Sequence, residues 1–253
     1  MVLTSTLKTK SLARIVADDF RAAEVFERYN LDFCCKGKRP LDVACREKGI
    51  DLSGIMTELS SLPEEPGNHQ RYADWSSEFL ADYIVQQHHS YVRTMIPMIE
   101  MHLQKVVRAH GAKHPEVIEI QSLFQKMSGE LLGHIMHEET TVFPLIKKLT
   151  LLQELSADDL LLRQELVGAI DMLDEDHRAA GDTLAVIQTL TNSFTPPPGA
   201  CTTFRVLYQE LKAFQEDMFR HIHLENNILF PKVLPTGISN SPQKNDLQFQ
   251  LIH

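Results

Sequence analysis

The chain holds little of what marks the specialised protein classes. Four cysteines in 253 residues, two of them adjacent, cannot frame a disulfide-stapled fold of this length. No apolar run approaches the roughly 20 residues of a membrane span, and the start lacks the apolar stretch of a secretory signal. Positive charge is scarce as well. The 25 Lys and Arg against 34 Asp and Glu leave a net charge of −9, which argues against nucleic acid or a membrane surface as partner. Residues 1–17 carry Lys8, Lys10 and Arg14 without an acid, faintly like an organelle transit peptide, but they read better as the first helix of a folded unit. A cytoplasmic location is expected. Alternating strand patterns are missing too, so the expected fold is all-α.

Helical patterns divide the chain. Residues 11–29 predict one helix with Ala13, Val16, Phe20, Val25 and Phe26 as its contacts, ending at Asn30. Pro40 opens a second short helix that Gly49 closes, and Ser53 caps a third reaching about Ser61. The polar, two-proline stretch LPEEPGNHQRYADW then reads as a linker that lets the small unit move. The expected units are a small helical domain at 1–62, a linker at 63–73, an up-down four-helix bundle at 74–235 and a loose tail at 236–253. The bundle patterns run over about 76–107 with a kink at Pro97, then 115–148, 157–191 and 203–229.

Within the bundle two stretches repeat one another beyond what packing requires. Residues 134–144 read HIMHEETTVFP and 221–231 read HIHLENNILFP, both His-x3-Glu-x4-Phe-Pro. An i, i+4 spacing puts His134 with Glu138, and His221 with Glu225, on one helix face. His89 lies 45 residues before His134, and His177 44 before His221, so the repeats read as two half-sites of two imidazoles and one carboxylate. A histidine on an apolar stripe is ordinarily a hydrogen-bonded core residue. The repetition weighs against that reading, because a buried carboxylate costs several kcal/mol to desolvate unless a cation or strong donor meets it.

Four imidazoles and two carboxylates without thiolate suit iron, manganese or zinc better than copper(I). If both glutamates bridge, each ion takes two histidines and two shared oxygens. Positions then remain for an oxo or hydroxo bridge and a small ligand such as O2 or NO, which favours two non-haem irons cycling between Fe2+ and Fe3+. The ferritin-type Glu-x-x-His and the zinc-protease His-Glu-x-x-His are both absent from the repeats. His223 is expected on the side of its helix away from His221, and His137 in a supporting position. Glu130, one turn before His134, and Asp176, beside His177, are candidates for orienting imidazoles or carrying protons. Periodicity does not choose between His88 and His89.

The adjacent thiols of Cys34 and Cys35 are the second unusual feature. Neighbouring Cα atoms stand ~3.8 Å apart, below the roughly 4.4 Å that a disulfide ordinarily spans, so a bond between them would be strained and readily reduced. Lys36 and Lys38 are expected to favour thiolate. Redox exchange, metal handling and intermolecular bridging all fit such a pair. Cys45 and Cys201 read as ordinary helix and loop residues.

With these residues in view, the chain resembles the iron-sulfur cluster repair di-iron proteins, whose bundle is hemerythrin-like. The likeness spans about Lys8 to Leu234 and includes RYNLDFCC, DEDH at 174–177, TPPPGACTT at 195–203 and HIHLENNILFP, in shared order. The resemblance implies four histidine ligands and two bridging glutamates, and sets the first ligand eight residues before a proline, at His89. The others fall on His134, Glu138, His177, His221 and Glu225. It further implies a functional role for Cys34 and Cys35, damaged iron-sulfur proteins as partners, NO or O2 as small ligands, and a homodimer. The stretch LTLLQELSADDLLLRQE looks inserted, and Asp176 stands where relatives often carry Glu. The expected function is repair of clusters damaged by nitrosative or oxidative stress, by iron donation or NO chemistry. A hemerythrin-like module that binds or senses O2 or NO without turnover is the alternative, and a bundle with structural zinc is a third.

Overall fold

The computed structural model describes residues 7–62, 71–151 and 157–234. Most of the expected linker (63–70), the tail (236–253), residues 152–156 of the apparent insertion, and His69 and His253 lie outside them. The expected helix over 11–29 is two helices, α1 (Leu12–Asp18) and α2 (Ala22–Arg28). The chain turns out at Asp19, whose carboxylate takes the Arg21 amide at 3.1 Å and its guanidinium at 2.6 and 2.9 Å. The break lets two apolar faces, Leu12, Ile15 and Val16 and then Ala22, Ala23, Val25 and Phe26, reach one core. Pro40 precedes α3 (Leu41–Lys48) as its extended cap, and Gly49 ends it at φ 66°. Asp51, rather than Ser53, caps α4 (Leu52–Ser60), accepting from the Ser53 and Gly54 amides at 3.1 Å.

The bundle is formed by four long helical runs. The first is α5 (Ser77–Ile84), a π-turn at Val85–His89 and α6 (Ser90–His110), which runs through Pro97. The second is α7 (Glu116–His137), a π-turn at Glu138–Val142 and α8 (Phe143–Thr150). The third is α9 (Ala157–Leu190). The fourth is α10 (Thr202–Leu224), a π-turn at Glu225–Leu229 and α11 (Phe230–Val233). Helix α6 packs on α7 and α10, and α9 on α7 and α10, closing an up-down ring. No described helix is long and apolar enough to cross a membrane.

The Phe-Pro pairs explain part of the local geometry. Pro144 and Pro231 have no N–H to return to the carbonyl four residues back, so the wide turns before them forfeit no bond at those positions. Two apolar clusters fill the molecule. One joins the small unit to the bundle, with Phe26, Phe33 and Leu41 in the same core as Ile96, Phe124 and Phe214. The other gathers Leu80, Ile84, Val142, Phe143, Leu173, Ile228 and Phe230. The small unit is also tied down by Arg220 on Glu27, at 3.2 Å, and by Gln188 on Asn30, at 2.7 Å. The small unit, expected to move on its linker, packs against the bundle in this structure.

Candidate metal centre

The seam between the two apolar clusters crosses each bundle run where its candidate ligand stands. Along the first run the order is Ile84, His89, Val92; along the second, Leu131, His134, Glu138, Val142. The third gives Leu173, His177, Leu184, and the fourth Met218, His221, Glu225, Ile228. His89, His221, Glu138 and Glu225 have no exposed surface, and His177 and His134 are buried beside them.

The imidazoles pair crosswise to the sequence repeats. His89 Nε2 lies 3.2 Å from His221 Nε2, and His134 Nε2 lies 3.0 Å from His177 Nε2. Glu138 sets one oxygen 3.3 Å from His89 Nε2 and the other 3.3 Å from His134 Nε2. Glu225 sets one oxygen 2.9 Å from His221 Nε2 and the other 3.2 Å from His177 Nε2. Each carboxylate therefore reaches both imidazole pairs. The half-sites expected from the repeats share their members: neither repeat makes a pair by itself.

The outer nitrogens show which way the protons point. His89 Nδ1 donates to Glu139 at 2.8 Å, and Arg93 holds that carboxylate at 2.8 and 2.9 Å. His134 Nδ1 donates to Asp176 at 3.0 Å, and His177 Nδ1 to the Asn226 side-chain oxygen at 3.0 Å. With Nδ1 as donor in a neutral ring, Nε2 presents a lone pair. The lone pairs of His134 and His177 face each other, and that of His89 faces His221 Nε2, which bonds Glu225 at 2.9 Å. All lie near carboxylate oxygens, of which both on Glu138 and Oε2 on Glu225 accept no aligned hydrogen bond. Lone pairs converging in a dry seam repel unless a proton or a cation stands among them. The donor set fits a cation of the nitrogen- and oxygen-preferring kind.

Without a cation, protons take that place. Burial pulls the His134 imidazole down, but Glu138 and Asp176 outweigh it and hold the group up to about 9. Burial pushes Glu225 up, yet His221 and His177 keep it well below the usual carboxylate range. Glu138 is pushed up by burial and by Glu225, and His134 and His89 hold it low. Cation uptake therefore displaces protons from the cage.

The remaining candidates separate by position. Asp176 orients His134 rather than its neighbour His177, and it stands exposed at the surface. Glu130 touches none of the imidazoles; it pairs loosely with Lys126 at 4.0 Å, at the rim of a cavity of about 210 Å³ that reaches His134 and His177. His88 points away from the cage, giving Nδ1 to Asp217 at 3.0 Å while its ring stacks on His221. His223 does face away from the cage, but it is fully buried against Phe33 and Phe20, where burial pushes it down to about 4. Sequence reasoning missed Glu139 and Asn226. Each directly follows a candidate ligand glutamate, and that adjacency was the available signal.

Cys34 and Cys35 lie against the cage helix α9. Cys35 Sγ donates to the His177 carbonyl at 3.4 Å, and Asn227 donates to the Cys34 carbonyl at 3.2 Å. The expected thiolate from nearby lysines does not hold for Cys34, whose buried thiol is pushed well above its ordinary range by desolvation, with Cys35 and Asp32 adding to the effect. Lys36 turns instead to Asp182, at 3.4 Å.

Known proteins share this organisation. Residues 8–63 match the model of a domain of unknown function (DUF542), and residues 80–233 match the hemerythrin HHE cation binding domain. The iron-sulfur cluster repair protein YtfE of Shigella boydii serotype 4 (strain Sb227) is 35% identical over 217 residues, covering 85% of this chain and 91% of the relative. The protein of that name from Escherichia coli O81 (strain ED1a) is also 35% identical over the same shares of both chains.

Proposed function

We propose, from the premise that this chain belongs to the iron-sulfur cluster repair family built on a hemerythrin cation-binding bundle, that its cage holds two iron ions and that the protein restores clusters damaged by nitric oxide or oxidants. The observation that carries this reading is the crossed reach of Glu138 and Glu225, each with one oxygen toward each imidazole pair. In it, His89 and His221 would hold one ion and His134 and His177 the other, with Glu138 and Glu225 within reach of both. Bound iron would supply one-electron chemistry and open positions for NO or O2. The protein's own residues do the rest. Glu139, Asp176 and Asn226 fix the Nε2 lone pairs inward. The two apolar clusters keep bulk water from the carboxylates. Cys34 and Cys35 put thiols at the one cage helix without a π-turn.

The test is restoration of an NO-damaged iron-sulfur enzyme by the iron-loaded chain. Activity should return faster than with Glu225→Ala or with an equal amount of free iron. Equal recovery in all three would sink the proposal. Binding of NO with no recovery at all would favour the alternative of a binding module without turnover.

A further inference from the structure

The Cys34–Cys35 loop offers a second set of donors, separate from the cage. We infer that Asp32, Cys34 and Cys35 form a binding site for a thiolate-seeking divalent cation, on the floor of the cleft between the small unit and the bundle.

The sulfur spacing points to an ion. The two Sγ atoms lie 3.6 Å apart. A cation ~2.3 Å from each would see them at roughly 100°, close to a tetrahedral angle, with no movement of the loop. A bond between them would instead require the sulfurs to close to about 2.05 Å across adjacent residues. Intermolecular bridging through Cys34 is opposed by its burial, with 3% of its surface exposed. Of the three chemistries the pair admits, metal handling is the one this geometry accommodates as it stands.

Asp32 completes the set and builds the loop that holds it. Its Oδ1 accepts the amides of Cys34, Cys35 and Lys36 at 3.1, 2.9 and 3.2 Å and lies 3.3 Å from Cys34 Sγ. All four of these contacts fall on Oδ1, so Oδ2 keeps its lone pairs for a cation. Donor atoms of Asp32, Cys34 and Cys35 all lie within 4.8 Å of one another.

The surroundings supply access and charge. Asp32 and Cys35 line a cavity of about 750 Å³ whose wall also carries Lys36, Arg39, Lys48 and Arg178. Binding is a simple exchange: a divalent ion enters, two thiol protons leave to water through the cleft, and no electron moves. Two thiolates and a carboxylate around a divalent ion sum to one net negative charge, in a cleft whose wall carries acids, Asp182 and Glu216 among them, as well as cations. Three protein donors leave a fourth position facing the cleft, as in sites whose ion remains reachable by an incoming ligand. Cys35 stands on the His177 carbonyl, so this site is next to the cage on the solvent side. Taken with the proposed function, on which this last step alone rests, its natural ion is iron(II) in passage between the cage and a client.

Cadmium(II) titration of the reduced, iron-loaded full chain under anaerobic conditions tests the site by its thiolate-to-cadmium ultraviolet absorption. One equivalent per chain should saturate the signal. Cys35→Ser should weaken binding at least tenfold, and Asp32→Asn by less. The double variant Cys45→Ser, Cys201→Ser should match the wild type. Differential alkylation of the unmutated protein, which needs no variant to fold, should show Cys35, the thiol that lines the cleft, protected by cadmium. An undiminished signal in Cys35→Ser, or an unprotected Cys35, would overturn the site. Neither readout involves a damaged cluster, so failure here and failure of cluster repair are told apart.

Discussion

The end of the bundle near the α6–α7 connection and the seam that carries the cage are made from the same helices and solve opposite problems. Toward that end, Leu103, Val106, Val117, Ile120, Phe124, Phe204 and Leu207 fill the interior and the helices stay regular. At the seam six polar side chains converge, and the described residues of three runs each contain a π-turn that begins or ends on a candidate ligand: His89, Glu138 and Glu225. Apolar side chains pack from many angles, so a regular helix serves them. Carboxylates that must each reach two imidazole pairs need their helices locally widened, and π-turns are common where function requires this. Helix α9 gives its one cage residue, His177, without a π-turn, whereas the first run gives its one cage residue, His89, at the end of a π-turn.

The largest effect should come from breaking the seam. Because Glu225 reaches both imidazole pairs, Glu225→Ala should lower iron affinity by more than the 10–100-fold typical of losing an outer partner, and at both ions together. Metal analysis of the purified variant checks this, with His223→Ala retaining its iron as the contrast. Loss of only half the iron would mean the carboxylate serves one ion.

Breaking the regular end should do the reverse. Phe214→Ala should cost about 3–5 kcal/mol of stability in denaturant unfolding while the folded fraction keeps its iron. Iron loss in proportion to stability would show that the two regions are not separable.

A smaller effect is expected from the outer partners. Asp176→Asn and Glu139→Gln should each weaken iron binding by roughly 10–100-fold, with exposed Asp176 toward the low end. Glu130→Gln should change nothing measurable in metal competition. The same loss in all three variants would point to general surface charge rather than orientation of the imidazoles.

The regular parts of this molecule were legible in the sequence, and the irregular parts were where it misled. The i, i+4 pairs His134–Glu138 and His221–Glu225 sit within helical geometry, and their shared faces follow from spacing alone. His89 closes a π-turn, and a 3.6-residue period loses its register there, so periodicity left His88 and His89 tied. The crossing of the imidazole pairs depends on how four helices close into a ring, which no single helix encodes. Asp19 ends α1 through its own contacts with Arg21, and the apolar pattern across 11–29 runs over that break unaware. The docking of the small unit rests on Phe33 and His223 meeting across 190 positions of sequence, a contact without a local signature.

The central claim is that two irons share Glu138 and Glu225. Its most direct measurement is the metal content of the aerobically purified chain, taken together with its optical spectrum. The account predicts about two irons per chain, with ligand-to-ferric absorption in the near ultraviolet that fades on reduction. Stoichiometric zinc with no iron uptake, under conditions that favour iron, would contradict it.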